Sequence, residues 1–179
     1  MEDKYQGRKY QVADYNEDWK NIFEKECAVL KSILGVDGNP IEHIGSTAVP
    51  GLIGKPTIDI LVTVEDFSVA EKYRSQMEEA GYKYLGEYVL PGTRLFVREK
   101  DHARLVNVHF FPKNHPHIEE MLVVRDYLRT HPEEVKRYGK LKLELAEEFP
   151  DDYGAYRKKK DEYMKELLKK AKEWRTSDT

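Results

Sequence analysis

The apolar residues in the first two-thirds of the chain recur with two periods, which predicts helices that alternate with strands. Apolar side chains at helical spacing predict an amphipathic helix over residues 17–34, and Asn16 is placed to cap its first turn. A second helical pattern covers residues 66–80 and ends at Gly81, a residue type that commonly ends helices. Short runs of β-branched and apolar residues predict strands at residues 41–44, 57–64, 82–88, 94–98 and 105–111.

The pattern changes near Pro116, after which every periodic segment is helical. Helices are predicted over residues 118–130, over residues 132–148, and from residue 151 or 152 to about residue 174. The sequence therefore predicts an α/β (α+β) protein with a mixed sheet and a helical C-terminal extension. We expect a single domain over residues 1–179, with a core of about residues 10–113 and C-terminal helices over about residues 114–174.

Composition narrows the class of protein. The 179 residues are 40% hydrophobic and 35% charged, which is typical of a globular chain, and the net charge is −3. This charge provides no general attraction to nucleic acid or to a membrane, so neither is an expected partner. The single cysteine, Cys27, excludes an intrachain disulfide, and no apolar run approaches the ~20 residues of a membrane-spanning helix. We expect a cytoplasmic protein.

The segment from residue 41 to residue 64 carries the strongest functional pattern. A strand leads into Gly45-Ser46-Thr47, and the next strand carries a carboxylate, Asp59. A Gly-Ser turn after a strand can present backbone N–H groups and hydroxyls to a phosphate. A carboxylate on the following strand can hold a metal ion beside that phosphate. This pattern predicts a phosphate site with a neighbouring acidic residue.

Asp59 has two interpretations. Strand alternation places it on one face with Thr57 and Leu61, while Ile58, Ile60 and Val62 lie on the other face and predict core. A carboxylate in an apolar strand is costly unless it is paired, hydrogen-bonded or bound to a metal. Asp59 therefore either forms a structural salt bridge or belongs to a functional site. The candidate salt-bridge partners are Arg94, Arg98 and Arg104.

Histidines offer partners for Asp59. Asn107 and His109 share one face of the strand at residues 105–111. If this strand neighbours the Asp59 strand, His109 and Asp59 form either an acid/base pair or two metal ligands. Glu42 or His43 is a further candidate metal ligand, although alternation points only one of the two into the site.

On the predicted C-terminal helices, cationic residues lie four positions from another cation or from a tyrosine. These pairs are Arg125 with Arg129, Tyr138 with Lys142, and Tyr156 with Lys160. One interpretation is that these residues lie on a solvent-exposed helix surface. The other is that their helices cover the Gly-Ser turn and the cations bind a phosphate there.

The chain resembles the GrpB-like family from about residue 12 to residue 163. The segments that carry the resemblance are ADYNEDW, EHIGSTAVPGLIGKPTIDILV, VNVHFF, VVRDYLRTHPEEVKRYGKLKLELA and AYRKKKDEYM. The resemblance implies the nucleotidyltransferase fold, and related domains also occur fused to dephospho-CoA kinases.

Members of the nucleotidyltransferase superfamily carry a Gly-Ser turn, two carboxylates two residues apart on one strand, and a third on a later strand. In this chain Gly45-Ser46 match the turn and Asp59 matches the second carboxylate. Thr57 stands at the first position, and the later strand offers His109 or Asn107 instead of an acid. The resemblance thus implies a phosphate-bearing ligand and an incomplete set of metal ligands.

These observations lead to one functional hypothesis with two alternatives. The chain is expected to bind a nucleotide-like or other phosphorylated small molecule, with nucleotidyl or phosphoryl transfer as a further activity. The alternatives are a non-catalytic accessory or regulatory module and a metal-dependent hydrolase that uses His and Asp. A divalent cation (Mg²⁺, Mn²⁺ or Zn²⁺) is the compatible cofactor. Asp59 and His109 are the predicted catalytic residues, and the predicted phosphate ligands are Gly45, Ser46, Thr47, Lys55, Arg125, Lys142 and Lys160.

Overall fold

A five-stranded mixed β-sheet forms the centre of the computed structural model, which describes residues 11–177. Its strands, in chain order, are β1 (Ile41–Ile44), β2 (Ile58–Val64), β3 (Lys83–Gly86), β4 (Arg94–Lys100) and β5 (Ala103–Pro112). They lie in the spatial order β1-β2-β5-β4-β3. Strands β2 and β5 are parallel, and every other neighbouring pair is antiparallel. Both β2 and β5 are therefore interior strands.

Within residues 11–177, six α-helices accompany this sheet. They are α1 (Asp18–Leu34), α2 (Ser68–Lys72), α3 (Arg74–Glu79), α4 (Pro116–Thr130), α5 (Pro132–Glu148) and α6 (Tyr153–Ser177). The predicted fold class, a mixed α/β sheet followed by a helical C-terminal segment, is confirmed. No helix in this described part of the chain is both long enough and apolar enough to cross a bilayer.

Local hydrogen bonds explain two of the helix boundaries. The side-chain oxygen of Asn16 accepts a hydrogen bond from the N–H of Asp18 at 2.9 Å, which confirms the predicted cap of α1. The helix predicted over residues 66–80 is instead two short helices, because Tyr73 leaves the helical backbone with φ −99° and ψ 9°. The hydroxyl of Tyr73 donates to Asp37 at 2.9 Å, which directs its ring towards the turn after α1.

One face of the sheet packs against α1, α2 and α3. The side chains of β2 that were predicted to be core point to this face, together with alternate residues of β5. The resulting layer excludes water from one side of both interior strands. Its fully or almost fully buried members are Trp19, Leu30, Leu34, Ile58, Ile60, Val62, Val64, Ala70, Met77, Tyr82, Phe96, Val106, Val108 and Phe110.

The opposite face of β2 and β5 changes from polar at the beginning of the strands to apolar at their end. Leu61 and Phe111 are buried there against α4, so both faces of β2 contribute to the core. Asp59 and Asn107 occupy the same face nearer the beginning of the two strands. The polar residues therefore lie beside a packed apolar region that holds their backbone in place.

The C-terminal helices form a second apolar core with the segment that follows the Gly-Ser turn. Val49 and Leu52 of that segment pack against side chains of α4, α5 and α6. This packing holds the connection between β1 and β2 against the helices. The buried helical members are Val123, Val124, Tyr127, Leu128, Val135, Tyr138, Leu167 and Ala171.

Truncation of Leu30 should test the packing of α1 on the sheet. Leu30 is 0% exposed, so Leu30→Ala should lower the free energy of unfolding by about 2–5 kcal/mol through lost burial and a cavity. Leu143→Ala on α5 is the matched control, because Leu143 is 49% exposed and its truncation should change stability by about 0.5 kcal/mol or less. Urea denaturation measures both values, and equal losses would contradict the packing described for α1.

Candidate functional site

A cleft of about 230 Å³ opens where α5 and α6 approach the polar part of the β2–β5 face. The sheet, the β1–β2 connection and both helices contribute to its walls. Among the described residues that line it, four are cationic and Asp59 alone is acidic. The lining residues are Ser46, Lys55, Thr57, Asp59, Arg104, Asn107, Tyr138, Lys142, Tyr153 and Lys160.

Asp59 lies on β2 and is held by side chains of β5. The side-chain N–H of Asn107 donates to Asp59 Oδ1 at 2.8 Å, and His109 Nε2 lies 3.4 Å from the same oxygen. Burial raises the pKa of Asp59, but the hydrogen bonds and charge of His109 together with the Asn107 bond outweigh it and lower the pKa below its usual value. The side chain is 30% exposed and faces the cleft as a carboxylate.

The arginines considered as salt-bridge partners of Asp59 have other partners. Arg94 binds Glu71 at 3.0 Å, and Arg98 binds Glu26 at 2.8 Å. Arg104 lies 3.5 Å from Glu99, while its side chain also lines the cleft. Within residues 11–177, Asp59 therefore forms no salt bridge with an arginine, and the predicted salt bridge to Arg94, Arg98 or Arg104 is wrong.

The predicted placement of His109 on the same side of the sheet as Asp59 is confirmed. Parallel pairing aligns Asp59 with Asn107 and Leu61 with His109, so the polar side chains of neighbouring strands meet on one face. Their catalytic role stays a prediction. The arrangement provides an ionised carboxylate beside an imidazole, which is the composition of an acid/base pair.

Gly45 allows the backbone to approach Asp59 closely. Its φ of +73° with ψ −170° belongs to a region that is essentially restricted to glycine. A Cβ atom at this position would lie 2.8 Å from Asp59 Oδ2. The turn that was predicted to bind phosphate is thus adjacent to the carboxylate, and Ser46 beside it lines the cleft.

Lys142 of α5 reaches the Gly-Ser turn and is buried there. Its Nζ donates to Ser46 Oγ and to the backbone oxygen of Ile53 at 2.9 Å, and it lies 4.5 Å from the ring centroid of Tyr138. Burial and the positive charge of Lys160 lower the pKa of Lys142 to about 7, against a smaller opposing effect of Asp59. The amine is therefore partly uncharged at neutral pH.

Lys160 of α6 enters the same cleft from the other helix. Burial lowers its pKa below the usual value for lysine. Lys160 forms no hydrogen bond or salt bridge with any residue in the described range, although the negative charges of Asp161 and, to a smaller extent, Asp59 partly oppose the lowering of its pKa. Lys55 also lines the cleft, so the structure brings together three of the predicted cationic ligands: Lys55, Lys142 and Lys160.

Thr47 and His43 bond to each other, and neither lines the cleft. Thr47 is buried, with its hydroxyl 2.9 Å from His43 Nε2 and donating to the backbone oxygen of Thr57 at 3.4 Å. The His43 ring stacks on Phe23 of α1, with 4.6 Å between ring centroids, on the face opposite Asp59. Burial lowers the pKa of His43 to about 4, helped by the charges of Arg129 and Arg125. The expected ligand roles of Thr47 and His43 do not match this placement.

Arg125 and Glu42 also lie outside the cleft, where they form an ion pair with each other. Arg125 Nη1 donates to Glu42 at 2.6 Å and to the backbone oxygen of His43 at 3.1 Å. Its Nε donates to Asp126 at 2.8 Å. Arg125 thus ties α4 to β1, and Glu42 is committed to that ion pair instead of a metal.

Sequence reasoning missed the contributions of Arg104 and Tyr153 to the cleft. Arg104 was considered only as a salt-bridge partner, and its position at the start of β5 near Thr57 gave no local signal. Tyr153 begins α6, and only the packing of that helix brings it to the cleft. Tyr138 had a signal, since it lies four residues before Lys142.

The donor set of the cleft does not fit two divalent cations. Among the described residues, no three His, Cys, Asp or Glu side chains converge as a metal-ligand group. The position of the first carboxylate is Thr57, whose hydroxyl donates to the backbone oxygen of Arg104 at 2.9 Å. Two-metal catalysis holds its ions about 3.5–4 Å apart and needs ligands for both of them. Asp59 by itself cannot provide these.

Gly45→Ala should destabilise the protein more than Gly51→Ala. Both glycines have positive φ, but a Cβ at Gly51 would meet no atom within 4 Å, whereas one at Gly45 would contact Asp59. The backbone strain should cost about 1–3 kcal/mol in each variant. Displacement of Asp59 should add to this cost only at Gly45. Denaturant midpoints measure the difference, and equal losses would show that the turn does not constrain Asp59.

Lys142 should make the protein more stable as the pH rises from 7 towards 10. Its pKa is about 7 in the folded chain and about 10.5 when unfolded, so the unfolded chain holds a proton that the folded chain has released. The stability of the wild type relative to Lys142→Met should therefore increase by at most about 1.4 kcal/mol per pH unit. Urea denaturation at pH 7, 8 and 9 tests this, and a constant difference would contradict it.

The fold is shared with solved structures. GrpB from Enterococcus faecalis superposes with a TM-score of 0.84 at 38% identity, covering 92% of this chain and 99% of that chain. A cytoplasmic RNA terminal U-transferase superposes with a TM-score of 0.53 at 18% identity, covering 75% of this chain and 42% of that chain. The second likeness concerns the fold alone, and it agrees with the nucleotidyltransferase-like fold implied by the sequence resemblance.

Sequence relatives give the family. UPF0157 protein YqkA of Bacillus subtilis is 37% identical over 171 residues, which are 96% of this chain but only half of that protein. Glutamate-rich protein GrpB of Alkalihalophilus pseudofirmus is 34% identical over 88% of this chain and 92% of its own length. A dephospho-CoA kinase of Mycolicibacterium paratuberculosis is 26% identical over 89% of this chain and 45% of its own length. The GrpB protein family matches residues 9–170, and the chain therefore belongs to it.

Proposed function

We propose that this chain binds a phosphorylated small molecule in the cleft and that the ammonium groups of Lys142 and Lys160 anchor its phosphate. One observation carries the proposal. The buried Lys142 of α5 and the partly buried Lys160 of α6 converge beside the Gly-Ser turn, and no carboxylate of the described residues lies within salt-bridge distance of either one.

The electrostatics of these lysines favour an anionic ligand. Placing two amines in a desolvated cleft is unfavourable for their charged forms, and the pKa of each is lowered as a result. A phosphate dianion between them would accept charge-assisted hydrogen bonds from both and would favour their protonation. Ser46 offers a hydroxyl at the same place. The cleft is thus arranged so that an anion relieves an existing electrostatic cost.

The size of the cleft indicates which part of a ligand it holds. Its volume of about 230 Å³ is below the range of about 300–1,000 Å³ that encloses drug-sized ligands. A phosphate group and the atoms next to it fit such a space, whereas a base or a long acyl arm would extend out of it. This supports recognition of the phosphorylated end of a larger molecule.

Asp59 and His109 would face the part of the ligand that adjoins the phosphate. The ionised carboxylate repels a phosphate, so the anion would lie towards Lys142, Lys160 and Ser46. A hydroxyl of the ligand could then donate to Asp59, with His109 3.4 Å from the carboxylate as a proton acceptor or donor. This arrangement supports a role for the pair in binding or in acid/base chemistry.

Three activities are compatible with such binding. The nucleotidyltransferase-like fold favours a phosphoryl or nucleotidyl transfer, while the missing carboxylate at Thr57 favours a non-catalytic accessory or regulatory module. A metal-dependent hydrolase that uses Asp59 and His109 is the third. The name of one relative, dephospho-CoA kinase, makes coenzyme A precursors the first compounds to test.

Lys160→Gln should abolish stabilisation by the ligand without unfolding the protein. A thermal-shift screen of nucleotides and coenzyme A precursors, with and without divalent metals, should identify a ligand that stabilises the wild type. At a ligand concentration 100 times the dissociation constant, binding should raise the free energy of unfolding by about 2.7 kcal/mol. The variant should lose this shift because it lacks a cation inside the cleft. Lys159→Gln is the matched control, since Lys159 is exposed on the same helix. Equal shifts in both variants would contradict the proposal.

Incubation of the identified ligand with the wild type separates an enzyme from a non-catalytic module. Conversion to a product that disappears in Asp59→Asn would identify an enzyme. Stabilisation by the ligand with no product, with or without an added acceptor, would identify the accessory module. Asp59→Asn preserves the shape of the side chain while it removes the charge, so its fold can be verified by the same thermal measurement.

A further inference from the structure

We propose that Lys142 and Lys160 take the place that divalent cations have in two-metal nucleotidyl transfer, so that the cleft binds phosphate as a metal-free anion. This inference rests on the proposed function and adds the ionic form of the ligand. It follows from a disagreement between the fold, which is shared with a nucleotidyltransferase, and the charges that this chain places in the cleft.

The sheet side of the cleft provides little negative charge. Thr57 is almost fully buried, and its hydroxyl proton is used in a hydrogen bond to the backbone oxygen of Arg104. Asp59 Oδ1 already accepts from Asn107. A pair of divalent cations would therefore face one carboxylate, and that carboxylate is partly occupied by the hydrogen bonds of β5.

The helix side of the cleft is built around ammonium groups. Lys142 Nζ is oriented by Ser46 and by the backbone oxygen of Ile53. Gly54 leaves room for this arrangement, since a Cβ there would lie 2.8 Å from Ser46 Cβ and 3.3 Å from Lys142 Nζ. The backbone of the β1–β2 connection thus fits a lysine beside the Gly-Ser turn, whose backbone N–H groups and hydroxyl are the kind of donors that bind anions.

The balance of charge decides which form of a phosphate enters. Lys55, Arg104, Lys142 and Lys160 line the cleft together with the single carboxylate of Asp59. A divalent cation would be repelled by the ammonium groups at short range, whereas a free phosphate would be attracted by them. A magnesium-bound phosphate carries less negative charge, so it should interact more weakly with the same lysines.

Calorimetric titration with pyrophosphate in EDTA and in excess Mg²⁺ tests this inference. We expect binding in EDTA, and we expect the apparent affinity to fall by about tenfold or more when the pyrophosphate is saturated with Mg²⁺. Proton relaxation enhancement with Mn²⁺ provides a direct measure of protein-bound metal. It should show no Mn²⁺ held by the protein in the presence or absence of pyrophosphate.

Variants assign the binding to the two lysines. Lys142→Gln and Lys160→Gln should each weaken binding in EDTA by about tenfold or more, because each removes one charge-assisted contact. Lys136→Gln on the exposed side of α5 is the control and should bind like the wild type. The two lysines lie on different helices, so a folding defect in one variant leaves the other as a test.

The possible outcomes separate this inference from the proposed function. Binding that requires a metal, with Mn²⁺ held by the protein and released in Asp59→Asn, would overturn the metal-free inference and leave phosphate binding intact. Absence of pyrophosphate binding in both EDTA and Mg²⁺ would overturn both. Unchanged binding in EDTA after either lysine substitution would show that the anion lies elsewhere and would also overturn the inference.

Discussion

The parallel pairing of β2 with β5 is the contact on which the candidate site depends. It aligns Asp59 with Asn107 and brings His109 to the same face, so the carboxylate that faces the cleft receives hydrogen bonds from a neighbouring strand. The opposite face of both strands is covered by α1, α2 and α3, which fixes their register through a continuous apolar layer. A shift of one residue between the strands would turn the polar side chains into that layer, and burial of the carboxylate there would be strongly unfavourable.

The second requirement is the close fit of the β1–β2 connection between the sheet and the C-terminal helices. Gly45 lets the turn approach Asp59, while Gly54 leaves space for Lys142. Val49 and Leu52 of the same connection pack into the core of α4, α5 and α6. The apolar contacts that hold the helices in place therefore also determine where their lysines reach the cleft. Stability and the geometry of the site have the same physical origin in this region.

The chain combines a nucleotidyltransferase-like fold with a cleft in which four cationic side chains face one carboxylate. A fold constrains where a site lies more than what the site does, because the chemistry depends on individual side chains. Here the turn and one carboxylate are kept, the first carboxylate position is a threonine, and two lysines supply positive charge from the helices. The function that we propose for this combination begins with anion binding, and the Asp59–His109 pair would add a group that exchanges protons with the ligand.

Local patterns in the sequence determined the strands, most helix boundaries, the Gly-Ser turn and the exceptional position of Asp59, because periodicity and turn chemistry act over a few residues. Local patterns did not determine which cations enter the cleft. Arg125, Lys142 and Lys160 all lie in helices at the same four-residue spacing, yet Arg125 binds Glu42 while both lysines enter the cleft. Glu42 and His43 likewise lie on the strand that precedes the turn, but one binds α4 and the other stacks on α1. The partner of each side chain depends on how the helices pack against the sheet and on which residues, distant in the chain, lie nearby. Contacts between residues far apart in the chain leave no periodic signal, so only the tertiary structure decided which cations surround Asp59.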